Sequence, residues 1–124
     1  MVVEAVSAKQ PTFRQITSNT HKAGLLALVK SLAEECGSSG VTVNGVCPGR
    51  IYTGQVERRT SSEAAARGVS HAEVLREVEA TIPMGRYGHP SDCGSMIAFL
   101  CSSQAGYVTG QNISVDGGLG RSLI

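Results

Sequence analysis

The chain has little that would attract a large charged partner or anchor it in lipid. Its 124 residues include no tryptophan, aromatic residues make up 4%, and the formal net charge is +1. Few aromatics leave no platform on which nucleobases could stack, and a charge near neutrality gives no field to draw in nucleic acid or an anionic membrane. No apolar run approaches the ~18 residues of a membrane span. The N-terminus also lacks a charged stretch followed by an apolar one, the pattern of a secretory signal. We therefore expect no nucleic-acid partner and no membrane.

Metal-binding and redox motifs are absent from the cysteine pattern. The four cysteines are Cys36, Cys47, Cys93 and Cys101. They form no Cys-x-x-Cys pair, and their spacing fits no zinc site. Free cysteine is among the most often buried residue types. The pattern therefore predicts reduced, buried thiols in a cytoplasmic protein without a metal.

Strand-like and helix-like segments alternate along the chain. Runs rich in β-branched residues predict strands over 2–6, 41–47 and 112–115. Apolar residues recur at helical spacing over 18–36 and again from Pro90 onwards. Strands that alternate with helices favour parallel βαβ units. The predicted fold class is therefore α/β, with about three parallel strands flanked by helices.

The helix predicted over 18–36 is apolar on more than one side. Leu25, Leu28 and Val29 belong to one stripe, and Leu26 and Ala27 add a second apolar side. Such a helix is usually covered on two sides. The sheet would supply one cover, and another helix or another chain the other. The strand over 2–6 would also present an unpaired edge, which invites pairing with a second copy. Both features predict a homo-oligomer.

Between Gln55 and Ala80 the chain becomes polar and charged. Two helix-start signatures, Thr60…Glu63 and Ser70…Glu73, lie on either side of Gly68. Each has the form of a capping box. We therefore expect two short helices over residues 55–82, with Gly68 between them.

Four stretches carry a resemblance that covers nearly the whole chain. They run over residues 22–35, 40–53, 82–92 and 107–118, and include Pro48-Gly49-Arg50-Ile51-Tyr52-Thr53 and Val115-Asp116-Gly117-Gly118. In order and in spacing they resemble the C-terminal half of short-chain dehydrogenases/reductases, in particular 3-oxoacyl-(acyl carrier protein) reductases. The resemblance implies half of a Rossmann-type doubly wound parallel sheet. It also implies one partial domain over 1–124, with residues 55–82 as a substrate lid.

The resemblance implies an NAD(P)-dependent oxidoreductase that moves a hydride to or from a carbonyl or alcohol. Family members carry Tyr-x-x-x-Lys, with a serine 13 positions before the tyrosine. Here the lysine is Lys22, whereas the tyrosine position is Ser18 and the serine position is Ala5. In the family the tyrosine is the general acid or base, the lysine lowers its pKa and holds the nicotinamide ribose, and the serine donates to the substrate oxygen. The family's remaining implied cofactor contacts are Pro48, Gly49, Ile51 and Thr53, beside the nicotinamide.

Ser18 and Lys22 each have a simpler interpretation. Ser18 is of a type that often caps a helix N-terminus, and Lys22 would then be a solvated lysine on the first turn. His21, three residues after Ser18, could instead form a base–nucleophile pair with it, although no third, orienting acid is visible. A serine on its short side chain cannot take the place of the tyrosine, and a lysine alone cannot supply the acid.

The sequence contains no Gly-x-x-x-Gly-x-Gly loop for the cofactor's pyrophosphate. By resemblance that loop would lie upstream of Met1, so we expect a fragment of a longer protein. NAD or NADP is the implied cofactor, and the choice between them stays open. We expect an oxidoreductase by ancestry that is inactive as a stand-alone chain. The alternative is a non-catalytic oligomerisation or binding module.

Overall fold

A three-stranded parallel sheet forms the centre of the molecule. In the computed structural model, which describes residues 1–123, the strands are β1 (Val2–Val3), β2 (Gly45–Pro48) and β3 (Asn112–Val115). Their order is β1-β2-β3, and both pairs are parallel. The predicted α/β class with parallel strands is confirmed.

Two of the strands are shorter than the β-branched runs predict. The run over 2–6 leaves the ladder after Glu4, whose N–H still donates to Val46 O, and turns into a 3-10 segment over Val6–Ala8. In the run over 41–47, the N–H of Val43 donates to the Thr109 side chain and the Asn44 amide donates to Val108 O. Asn44 O still accepts from Val2 N of β1, but Val43 and Asn44 otherwise bond to the loop over 108–111 rather than to β3, so β2 begins only at Gly45.

Helix α1 (Ile16–Cys36) lies between β1 and β2 in the chain and packs against the 3-10 segment over Val6–Ala8. Val29 and Ala33 are its buried residues, and Ala33 approaches Gly110 so closely that a Cβ there would lie 3.3 Å from the Ala33 Cβ. The opposite face stays open, since Ile16 is 81% and Leu28 44% exposed. The predicted helix is confirmed, and begins two residues earlier than expected.

Helices α2 (Gly54–Arg67) and α3 (His71–Glu79) pack against each other, with Gly68 in the left-handed region between them. Ser70 caps α3 as predicted, by accepting from Glu73 N. The helix start predicted at Thr60 is wrong. Thr60 is buried inside α2, where its hydroxyl lies 2.7 Å from His71 Nε2. Thr53 caps α2 instead, because the helix begins one residue after it.

Helix α4 (Pro90–Leu100) covers the sheet and completes the core. Buried Val46, Leu100 and Ala105 form its centre, surrounded by partly buried Met96, Ile97, Val108, Ile113 and Val115. The prediction of buried thiols is right for Cys47, holds only in part for the half-buried Cys36 and Cys93, and is wrong for Cys101, which is exposed where α4 ends. Among the described residues, no helix has both the length and the apolar character needed to cross a membrane.

Candidate active site

The three strands end at one edge of the sheet, and the residues that follow them form the candidate site. Glu4 and Ala5 follow β1, Gly49 follows β2 and Asp116 follows β3. In open α/β sheets, ligands bind outside the carboxyl ends of the strands. A Cβ at Gly49 would lie 2.5 Å from the Asp116 Cβ, and Gly49 N donates to Val115 O at 3.0 Å. Only glycine fits so close to the neighbouring backbone, and this contact fixes the Pro48–Gly49 turn.

The segment after this turn is held in place by backbone hydrogen bonds. Gly88 N donates to Arg50 O, and Tyr52 N donates to Gly88 O, both at 2.8 Å. Ile51 lies between them in an isolated parallel bridge with Gly88. Thr53 then turns the chain into α2, and its Oγ1 accepts from Val56 N at 3.4 Å. Ile51 and Thr53, the predicted carboxamide contacts, thus lie in a segment that is fixed by hydrogen bonds. We call this segment, residues 48–53, the nicotinamide floor.

Lys22 reaches the end of β1. Its Nζ donates to the backbone oxygen of Glu4 at 3.4 Å, and that carbonyl adjoins the Ala5 amide. The structure therefore places the Lys22 ammonium next to the Glu4–Ala5 peptide. Lys22 is the seventh residue of α1 and half-buried, so it is not a solvated residue of the first turn.

Ser18 lies inside α1 rather than at its cap. The N-cap is Gln15, and it makes no side-chain capping bond. The interpretation of Ser18 as the cap is therefore wrong, because α1 begins two residues before it. Ser18 is exposed, while His21 lines a surface cavity with Thr20 and Leu25. The tyrosine position thus presents a short hydroxyl to solvent.

Glu4 is a buried acid that the sequence interpretation missed. It is 5% exposed; its Oε2 accepts from Cys47 Sγ at 3.3 Å, and its Oε1 has no hydrogen-bond partner among the described residues. Burial raises the pKa of this carboxyl, and Cys47, Lys22 and Lys9 offset part of the shift. Burial and the Glu4 hydrogen bond raise the pKa of Cys47 to about 12. Cys47 therefore stays a thiol, which lets it donate. The available signal was an acidic residue within a run of β-branched ones.

A second missed feature is a basic cavity next to the Pro48–Gly49 turn. The cavity has a volume of about 200 Å³ and lies between this turn, the first turns of α2 and Tyr87. Its lining residues are Gly49, Arg50, Ile51, Gln55, Val56, Arg59 and Tyr87. The signal in the sequence was an arginine directly after Pro-Gly; Arg59 and Tyr87 come from segments that no local pattern connects to it.

The residues present fit the nicotinamide end of a dinucleotide. Glycine at position 49 lets the turn lie against Asp116, Thr53 offers a hydroxyl, and Lys22 offers an ammonium beside β1. Lys22, Pro48, Gly49, Ile51 and Thr53 would hold that end. The sequence has no glycine-rich loop for the pyrophosphate.

The parallel sheet, the loops at its carboxyl edge and the long helix bearing Lys22 define a short-chain dehydrogenase/reductase type of Rossmann fold. A family model described as "Enoyl-(Acyl carrier protein) reductase" matches residues 2–120. The chain therefore belongs to this family of short-chain dehydrogenases/reductases.

Relatives of known name agree with this assignment. The chain is 34% identical over 119 residues to the monensin polyketide synthase putative ketoacyl reductase of Streptomyces virginiae, which covers 96% of this chain and 46% of that protein. It is 37% identical over 105 residues to a 3-oxoacyl-(acyl-carrier-protein) reductase of Aquifex aeolicus, covering 85% of this chain and 38% of that one. The chain thus spans less than half the length of these relatives.

Solved structures share the fold. The L-sorbose reductase of Gluconobacter frateurii, in complex with NADPH and L-sorbose, aligns with a TM-score of 0.93 at 29% identity, over 98% of this chain and 46% of that one. An NADPH-bound short chain oxidoreductase of Pseudomonas aeruginosa PAO1, described as containing an atypical catalytic center, aligns with a TM-score of 0.83 at 36% identity, over 96% of this chain and 44% of that one.

Proposed function

We propose that this chain is the substrate-side half of an NAD(P)-dependent oxidoreductase acting on a carbonyl or alcohol, and that it does not turn over by itself. The observation that carries this proposal is that the family's lysine is present while its tyrosine and serine are replaced. Lys22 reaches the carboxyl end of β1, whereas Ser18 stands exposed at the tyrosine position and Ala5 at the serine position. Named reductases among the relatives support the class of reaction.

The chain's own residues account for binding but not for proton transfer. When bound, the nicotinamide cofactor supplies or accepts the hydride. Lys22 would hold the ribose hydroxyls, and Ile51 with Thr53 would orient the carboxamide. Ala5 has no donor for the substrate oxygen. Ser18 is shorter than a tyrosine by several ångströms, and its hydroxyl is a very weak acid without an adjacent base. Proton transfer by a positioned side chain is worth about 10²–10⁴-fold, and this contribution is missing.

The Pseudomonas aeruginosa oxidoreductase supports the cofactor part of the proposal. It is 36% identical to this chain, was solved with NADPH, and is described as having an atypical catalytic center. An atypical catalytic center is therefore compatible with NADPH binding in a relative. For this chain, the nicotinamide-end residues support the same cofactor class, and NAD and NADP remain equal candidates.

Steady-state turnover tests this proposal. NADH and NADPH oxidation would be followed with simple ketones and with 3-oxoacyl thioesters, using the wild-type chain and Lys22→Ala. We expect both proteins to match the rate without enzyme. Wild-type turnover that disappears in Lys22→Ala would overturn the proposal of an inactive chain.

A second candidate function is a non-catalytic association module, and the open face of α1 favours it. Ile16 is 81% and Leu28 44% exposed along this face, and Phe13, in the turn before α1, is 84% exposed. Val3, on β1 at the edge of the sheet, is 52% exposed. Apolar surface of this kind usually marks an interface, and an open strand edge invites pairing. We propose a homo-oligomer that buries α1, with β1 as a further contact.

Light scattering at micromolar concentrations tests the association. We expect a dimer or larger, which Leu28→Asp converts to smaller species. Ser31→Asp is the matched control, because Ser31 is an exposed polar residue of the same helix and receives the same charge. A monodisperse wild-type monomer would exclude this candidate and leave the enzyme proposal standing.

A further inference from the structure

Arg50 and Arg59 stand apart from the ion pairs of the molecule. Within residues 1–123, the ion pairs join Arg67 to Glu63 and Glu77, His71 to Glu57, and Arg86 to Asp92. Arg50 and Arg59 belong to none of them, and both are exposed. Their charges are therefore not neutralised by a carboxylate of the described chain within ion-pair distance.

The two guanidinium groups line the same cavity, and no acidic residue lines it with them. This is the cavity of about 200 Å³ beside the Pro48–Gly49 turn. Asp92 and Asp116 line a neighbouring cavity on the other side of Arg50, and the charge of Glu79 raises the pKa of Tyr87, but none of these acids lines the cavity of the two arginines. Two arginines around one small concave space form a site for an anion, because the planar guanidinium donates to carboxylate and phosphate oxygens in pairs.

Tyr87 adds a polar group to the wall of this cavity. The residue is 6% exposed, and its ring meets that of Tyr52 edge-on with centroids 5.6 Å apart. Its Oη is buried without a hydrogen-bond partner of good geometry among the described residues, although Arg50 and Arg59 are near enough to lower the phenol pKa against the effect of burial. A buried hydroxyl beside two cations lacks an acceptor for its proton, and an oxyanion would provide one after a small side-chain shift.

The start of α2 contributes positive potential from a third direction. Gln55 and Val56 line the cavity and belong to the first turn of this 14-residue helix. Unpaired N–H groups at a helix N-terminus favour a negative charge nearby. The helix start alone would define no site; here it coincides with two arginines and a buried phenol whose proton has no acceptor among the described residues.

We infer that the Arg50–Arg59 cavity is an oxyanion subsite that takes the carboxylate or phosphate group of the substrate. The inference rests on the proposed function for its location, since Gly49 and Ile51 line both this cavity and the nicotinamide floor. It narrows the substrate class to carbonyl or alcohol compounds that carry an acidic group. Arg50 and Arg59 act as binding residues and take no part in hydride or proton transfer.

Anion titration of the wild-type chain tests the subsite directly. Tyrosines labelled with ¹³C at Cζ give three resonances, since the chain has three tyrosines, and Tyr87→Phe assigns the one of interest. Sodium acetate and inorganic phosphate are added separately, with sodium chloride adjusted to keep the ionic strength constant. We expect a saturable shift of the Tyr87 resonance, and the anion that binds more tightly identifies the group as carboxylate or phosphate.

Variants that remove the same charge at different positions distinguish binding in this cavity from non-specific electrostatic attraction. Arg50→Gln and Arg59→Gln should each weaken anion binding by about tenfold, the usual loss for one charge-assisted hydrogen bond. Arg58→Gln removes the same charge one position earlier on α2 and does not line the cavity, so its binding should stay within about twofold of wild type. Circular dichroism confirms that each variant is folded.

Two results would overturn the inference. One is a Tyr87 resonance that shows no saturable shift with either anion. The other is an equal loss in Arg58→Gln and Arg59→Gln, which would mean that only net charge matters. This measurement requires neither cofactor nor turnover. Anion binding can therefore be confirmed even if the chain proves not to belong to a reductase.

Discussion

Cys47 Sγ donates a hydrogen bond to Glu4 Oε2 at 3.3 Å, across the β1–β2 pair. Both residues are buried, and Gly45 makes room for the carboxylate because a Cβ there would lie 2.6 Å from Glu4 Oε1. A buried carboxyl beside a thiol is an unusual feature of a sheet, since ionising it costs free energy that a single weak donor does not offset.

Stability should therefore fall as pH rises through the titration of Glu4. Burial raises the pKa of Glu4 in the folded chain above its ordinary value, so its contribution is fully present below the unfolded pKa and is lost above the folded one. Glu4→Gln should remove this dependence and be more stable than wild type at pH 8, with a smaller difference at pH 4. Urea unfolding across this range measures it.

Glu34→Gln is the control for this comparison, because Glu34 is an exposed acid on α1. Taking differences from wild type also cancels Glu77 and Asp92, whose pKa values are lowered and whose contributions run the opposite way. A difference between wild type and Glu4→Gln that stays constant with pH would contradict the assignment.

The two thiols Cys47 and Cys101 should differ strongly in reactivity. Cys47 is buried and its pKa is raised to about 12, whereas Cys101 is exposed at the end of α4. Only the thiolate reacts with alkylating reagents, so Cys101 should be modified first and Cys47 only on unfolding. Mass spectrometry after timed iodoacetamide treatment at pH 8 gives the order. Early labelling of Cys47 in folded protein would show that its environment is open.

Two glycine substitutions should act in opposite directions. At Gly45, a Cβ would lie 2.4 Å from Asn112 Oδ1, so Gly45→Ala should destabilise the fold by about 1–3 kcal/mol through overpacking. At Gly24, inside α1, a Cβ would meet nothing within 4 Å, and Gly24→Ala should stabilise by up to about 1 kcal/mol. Denaturant midpoints of the two variants decide this, and a neutral Gly45→Ala would mean that Asn112 moves aside easily.

Restoring the missing acids should not create a reductase from this chain. The double variant Ala5→Ser, Ser18→Tyr regains the family's residue types, but the sequence has no glycine-rich loop for the pyrophosphate. We expect binding of NADH or NADPH no tighter than about millimolar, which corresponds to about 4 kcal/mol. Calorimetry on wild type and the double variant measures it. Micromolar binding to either protein would show that the nicotinamide end alone is a sufficient anchor.

Much of the fold could be predicted because it depends on local patterns. The periodicity of α1 and α4 and the β-branched run of β3 identify these elements from their own residues. Prediction was wrong at Thr60, because the S/T-x-x-E pattern does not reveal that its hydroxyl faces His71 across two helices. The strand over 2–6 was overestimated, because the chain turns into the 3-10 segment over Val6–Ala8, which ends the ladder.

The candidate site was predictable only where a family motif marks it. Lys22 and the Pro48–Gly49 turn lie at the expected edge of the sheet. Glu4 against Cys47, and Arg50 beside Arg59 and Tyr87, come together only through tertiary packing. No spacing rule connects residues that lie tens of positions apart, so these groups emerge only from the folded chain.

The side-chain oxygen of Thr53 has one observed role, as a helix cap, and one proposed role, as a ligand contact. Its Oγ1 accepts from Val56 N and so holds the first turn of α2, while the same side chain belongs to the floor expected to meet the carboxamide. A ligand whose binding rotates this hydroxyl would break the hydrogen bond from Val56 N and loosen the first turn of α2. A ligand that leaves the oxygen in place would keep this turn intact. A ligand that binds Thr53 as proposed would therefore act on the start of α2 through one side-chain torsion angle.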